Sequence, residues 1–160
     1  MILNSRTPWL SLIALVVLVL SACSAADGAE EGSSVTGGAI ELAVSETCTD
    51  VSDPQCVSVN GVNVVLPSVF ERANVEDAVV AAVEGQNAVD VTFSSDGEVV
   101  FNTLSDKAAQ AGDAARLVMK IGGKIQAAVT VMQALDGNQM QIILSPEESA
   151  QEVVDLIRAG

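Results

Sequence analysis

Leu117-Val118-Met119-Lys120-Ile121-Gly122-Gly123-Lys124-Ile125-Gln126-Ala127-Ala128-Val129 spells out a β-hairpin. Leu117, Met119 and Ile121 alternate with Arg116, Val118 and Lys120. Beyond Gly122-Gly123, Ile125, Ala127, Val129 and Val131 alternate with Lys124, Gln126, Ala128 and Thr130. A period of two places one face of each strand on a core. A strict two-residue loop would set Ile121 opposite Lys124 and mix the faces. A three-residue or bulged loop sets Ile121 opposite Ile125 and keeps one face apolar, and that is the expected arrangement.

On either side of this hairpin the chain alternates short strands with capped helices. Met140, Ile142 and Leu144 make a further strand after the turn residues Asp136-Gly137-Asn138. Ser145-Pro146-Glu147-Glu148 has the form of a capping box with proline at the first helical position. Behind it, Ala150, Val153, Val154 and Ile157 form one apolar stripe, and Arg158 suits the negative helix end. Upstream, Ser95 to Glu98 is a second capping box. It opens a helix running to about Ala111 and stopped by Gly112, with Phe101, Leu104 and Ala108 on its inner face. Val89, Val91 and Phe93 alternate with Asp90 and Thr92 as a strand. Val75 to Val83 fits either period, strand or helix. Val57 to Val64 turns at Asn60-Gly61, the pair favoured in type I′ hairpins, and Ile40 to Val44 is a short strand. The order predicts one α+β domain over residues 39–160: an antiparallel sheet with two helices packed on one face.

The first residues are of another kind. An apolar run from Trp9 to Leu20 follows Arg6 and ends in Leu20-Ser21-Ala22-Cys23. It falls short of the roughly 20 apolar residues that span a bilayer. The pattern is that of a secretory leader with a lipobox. It predicts cleavage after residue 22, lipidation of Cys23, and attachment to the cell membrane on its extracytoplasmic face through that covalent lipid. Residues 23–38 are Ala, Gly, Ser and Glu with one large apolar residue, Val35, and are expected to be a flexible tether with a reach of about 20 Å.

Composition narrows the function. The 160 residues carry 21 acidic and seven basic side chains, a net charge of −14, and no histidine or tyrosine. Such a surface repels nucleic acid. Without histidine, the usual proton shuttle of serine and cysteine hydrolases is missing, and so is the commonest zinc ligand. With no exposed Trp or Tyr to stack a sugar, the carboxylate pairs Asp96/Glu98 and Glu147/Glu148 are poor candidates for glycoside hydrolysis. No catalytic residue, cofactor or metal site is therefore expected. Outside the cytoplasm, Cys48 and Cys56 form an even pair and are expected to be a disulfide closing a nine-residue ring. Asp50 and Asp53 inside it match no calcium-loop spacing and are taken as solvated.

Three segments together resemble one family, the periplasmic head of the first large loop of SecD, the accessory protein of the Sec translocon. Phe93-Ser94-Ser95-Asp96-Gly97-Glu98-Val99-Val100-Phe101 with Leu104-Ser105 is similar to its Phe, acidic-Gly, Phe, Leu-Thr pattern. Leu117 to Val129, centred on Gly123-Lys124, is similar to its central hairpin. Glu148 to Val154, with Arg158-Ala159-Gly160, resembles its closing helix. Gly122, Ala127 and Val129 stand where that hairpin has Asp, Ser and Pro. The resemblance implies that Val75 to Val83 is a strand paired with Val89 to Phe93, and that the chain is a small head-like lipoprotein of an actinobacterial kind. It also implies a role in binding exported polypeptide or a Sec or envelope partner, with Gly122, Gly123, Lys124 and Gln126 as the candidate polypeptide-binding hairpin. SecD's membrane bundle has no counterpart here, so no pumping is expected. A partner-docking envelope lipoprotein unrelated to export is the alternative; a small-molecule or lipid binder would need a pocket of several hundred Å³.

Overall fold

The computed structural model describes residues 37–50 and 52–160. The leader, Cys23 and most of the tether lie outside the described residues. Gly37 and Gly38, read above as the end of the tether, already lie on the domain. A Cβ on Gly37 would stand 1.6 Å from the Val75 carbonyl oxygen, and the Gly38 carbonyl accepts the Val75 amide at 2.9 Å.

Eight strands and two helices follow: β1 (Ala39–Glu46), β2 (Cys56–Val59), β3 (Val62–Val65), β4 (Glu71–Val83), β5 (Gln86–Phe93), α1 (Ser95–Ala111), β6 (Ala115–Ile121), β7 (Lys124–Val129), β8 (Gln139–Ile143) and α2 (Ala150–Ala159). Six strands form one antiparallel sheet in the order β7-β6-β1-β4-β5-β8, and β2-β3 pair separately. The α+β expectation holds, and both helices pack on the same face of the large sheet. Val75 to Val83 is strand, set against Gln86 to Phe93. The long β4 joins the two halves of the sheet: residues 71–74 pair with β1, and Val75 and, past a bulge at Glu76, residues 77–83 pair with β5. Asn60-Gly61 turns as expected, at φ +50° and +81°.

The main core lies between sheet and helices. Ile40, Leu42, Val75 and Phe93 from the strands meet Phe101 and Leu104 of α1 and Val154 and Ile157 of α2, all fully or almost fully buried. A second, smaller core lies on the opposite face, where the β2-β3 hairpin covers Val118 with Val59 and Val64. β6 is thus buried on both sides, which explains its unbroken Leu-Val-Met run.

Three local expectations are corrected. The central hairpin closes with a two-residue turn that does pair Ile121 with Lys124. Gly122 and Gly123 both take positive φ, +57° and +82°, as the tight type I′ turn requires. The bulge falls inside the strand, where Gln126 is the extra residue between the pairs Lys120–Ile125 and Met119–Ala127. This slip returns Ala127 and Val129 to the helix side and leaves Ile125 on the second core. α1 is capped by Ser94 rather than Ser95. The Ser94 amide and hydroxyl both donate to the Asn74 carbonyl, at 3.0 and 3.3 Å, which holds Ser94 extended, and its Oγ accepts the Gly97 amide at 3.3 Å. Only half of the Ser145–Glu148 box forms: the Glu148 carboxylate accepts the Ser145 amide, but the Glu148 amide donates to the Ser145 carbonyl rather than to its hydroxyl, closing a turn, while α2 begins at Ala150 under a Ser149 cap that accepts the Glu152 amide at 3.4 Å.

Candidate functional site

The central hairpin's polar groups are engaged within the domain. Glu148, on the turn after β8, accepts through Oε1 from Lys124 Nζ at 3.1 Å and from the Gln126 side chain. Its Oε2 accepts from the Ser145 amide at 3.2 Å and from the Ser145 hydroxyl. Gln126 is buried, and its carbonyl accepts from Asn60 Nδ2 at 3.1 Å. Leu156 of α2 lies so close to Gly122 that a Cβ there would approach its Cδ2 to 2.7 Å. Of the four candidate residues, Gly122 and Gly123 are exposed turn, Lys124 is exposed but paired, and Gln126 is a buried structural contact. Lys124 and Gln126 latch one end of β7, through Glu148, to the segment that follows β8.

Ser145 and the latch together set the acidity of Glu148. The hydrogen bond from the Ser145 hydroxyl contributes most; desolvation opposes it, and the bonds from Gln126, Lys124 and the Ser145 amide add to it, bringing the pKa from 4.5 to about 2. A depressed carboxylate stabilises the fold above its unfolded pKa near 4.5, and that contribution is lost as pH falls toward 2. The side chain is 21% exposed, so solvent screening trims the effect to about 1–2 kcal/mol. Glu148→Gln is expected to lose that amount at pH 6 and almost nothing at pH 2 relative to the parent chain. Urea midpoints at the two pH values test this; a gap that stays constant with pH would mean that these hydrogen bonds do not favour the ionised Glu148.

Beyond the latch, the two edges of the curled sheet border one groove of about 320 Å³. Ala127 and Val129 line it from β7, Met140 and Ile142 from β8, and Phe101 and Met119 from beneath. Ile143, 54% exposed, stands at its mouth. Met132, in the segment between β7 and β8, is 92% exposed, and its unbranched thioether suits irregular apolar contacts. No motif pointed to this groove, because it arises from the curl that brings together strands at opposite ends of the sheet order. The available signal was the uncharged run Gln139 to Leu144, in which Ile142 and Ile143 are adjacent and only one can face inward.

The remaining candidates lie elsewhere. Cys48 and Cys56 are joined by a disulfide with their Cα atoms 5.9 Å apart, tying the chain after β1 to the start of β2. Within that ring, Asp50 accepts from the Ser52 amide and hydroxyl, which hold its pKa below the usual range, and Asp53 accepts the Gln55 amide at 2.9 Å. Both carboxylates serve the turn. Among the described residues, no three His, Cys, Asp or Glu side chains gather where they could hold a metal ion. Asp96 and Glu98 occupy the first turn of α1, where the helix dipole favours negative charge.

No protein-family model matches the sequence, and no curated protein does. Among solved structures, the chain is similar to a crystal structure of SecDF in a super-membrane-facing form, at 17% identity and a TM-score of 0.50. The match covers 76% of this chain and 18% of SecDF, so this chain corresponds to a small part of that protein. The likeness is one of fold alone: the described domain shares its fold with a part of SecDF.

Proposed function

We propose that the chain is an extracytoplasmic lipoprotein, moored to the cell membrane by a lipid on Cys23, whose SecD-like domain binds exported polypeptide in extended form without catalysing a reaction. The observation that carries this reading is the apolar groove bordered by both open edges of the sheet. A folded partner presents few extended apolar segments, whereas a chain emerging from a translocon presents them throughout. The leader motif and the acidic surface agree with it, since a net charge of −14 disfavours nucleic acid and anionic lipid headgroups as ligands. The resemblance to the SecD head supplies the class of partner.

Photo-crosslinking residues placed at Met132 and Ile143 in living cells test this. Several different exported polypeptides, each captured through an unfolded stretch and lost when export is blocked, are the expected result. Lys124, already paired with Glu148, should capture far less. Capture of a single stoichiometric envelope protein at both positions would replace this function with partner docking.

A further inference from the structure

We infer that the free edge of β8 is a strand-addition site, taking an extended polypeptide segment that is apolar at alternate positions and cationic or neutral between them. This rests on the polypeptide-binding reading and adds to it the mode of recognition and the class of segment.

The argument begins with hydrogen-bond parity. In an antiparallel pair, every second residue turns both backbone groups toward its partner, and the residues between turn theirs away. The Leu144 amide donates to the Asn87 carbonyl at 2.9 Å, and the Phe93 amide donates to the Asn138 carbonyl at 2.7 Å. The β5–β8 register therefore directs the backbone groups of residues 138, 140, 142 and 144 to β5. Those of Gln139, Gln141 and Ile143 point to the open side. Among the described residues, no backbone or side-chain hydrogen bond reaches these outward groups.

Sheet edges are ordinarily protected by a bulge, a lysine, a proline or a charge. β7, the opposite edge, has the bulge at Gln126 and a lysine at Lys124. β8 has neither: its pairing with β5 is regular from Gln139 to Ile143, and Gln139 to Leu144 contains no charge and no proline. Met140 to Ile143 all line the groove, so its wall includes the open edge of β8, and a strand added outside β8 would lay its own alternate side chains into the same space. Acyl chains could fill such a groove but would leave the outward amides and carbonyls without partners.

Charge selects the occupant. Two copies of a chain at −14 repel each other, which opposes β8-to-β8 pairing, whereas a segment bearing Lys or Arg is attracted. The chain's own tether has only Val35 as a large apolar residue and cannot supply alternating apolar side chains.

The test uses the mature chain and an eight-residue peptide of alternating Val and Lys. Two further versions are N-methylated at the four odd or the four even residues. Methylation of the residues whose amides face β8 should weaken binding about tenfold or more, and methylation of the other set less than twofold, because only one set donates to the edge. Gln141→Pro should also lose about tenfold, since it deletes an outward amide that β5 does not use, while Gln141→Ala stays within twofold. Equal affinity of the two methylated peptides, kept or lost, overturns strand addition yet leaves polypeptide binding standing. If the unmodified peptide fails to bind at all, the polypeptide-binding reading falls and strand addition with it. A concentration-dependent dimer that protects the residue 139–143 amides from exchange assigns the edge to a second copy and also overturns the inference.

Discussion

Replacing Phe101 by alanine is expected to cost about 3–5 kcal/mol of folding stability, the largest loss anticipated for any single side chain here. Phe101 is 2% exposed and stacks on Phe93 with ring centroids 4.9 Å apart. Its ring joins α1 to the middle of the sheet and also forms the floor of the groove. Truncation removes the transfer free energy of the ring and opens a space that neighbouring strands, held in ladders on both sides, cannot collapse to fill. Because typical domains have only about 5–15 kcal/mol in all, the variant should show a large drop in its urea midpoint with an unchanged slope. A loss under 1 kcal/mol would mean that the helix presents a different face.

Gly97→Ala is expected to destabilise by about 3 kcal/mol, against the direction of helix propensity. Alanine in place of glycine within a helix ordinarily gains about 1 kcal/mol. Here a Cβ would stand 1.9 Å from the Asn74 carbonyl oxygen, and that carbonyl already accepts from the Ser94 amide and hydroxyl. Relief requires α1 to lift from β4, which breaks both bonds and separates Phe101 from Phe93. Thermal unfolding decides between the two forces: a raised melting temperature would show that the start of α1 has freedom to move.

Gly97 also marks where the sequence was readable and where it was not. Its place in the first turn of a helix followed from the serine and glutamate around it, but nothing local says that another strand's backbone passes beneath. Period and capping signals act over a few residues, so most strands, the turn at Asn60-Gly61, the position of the turn at Gly122-Gly123, and the inner faces of both helices are legible directly. The cap at Ser94 could not, because serines occupy positions 94 and 95 alike and the choice is made by Asn74 twenty residues away. The turn pairing failed for a related reason. Alternation requires a one-residue slip somewhere in the hairpin but does not say where, and the slip settles at Gln126, whose carbonyl is taken by Asn60. Lys124 and Gln126 stand on a conspicuous hairpin, whereas their partner Glu148 reaches them only through the curl of the sheet. The groove is the least local feature of all, since β7 and β8 are the two ends of the strand order. The segment Val75 to Val83 is ambiguous by period because Val79 and Val80 are exposed on the strand, and only the family resemblance implies a strand there.

Chemical-shift mapping of the mature chain during titration with a permanently unfolded, cationic polypeptide tests the central claim most directly. The account predicts saturable changes at the amides of residues 139–143 and around Val129 and Met132, while Val59 and Val64 on the opposite core stay unmoved. An absence of saturable change, or changes confined to the β2-β3 hairpin, would contradict it.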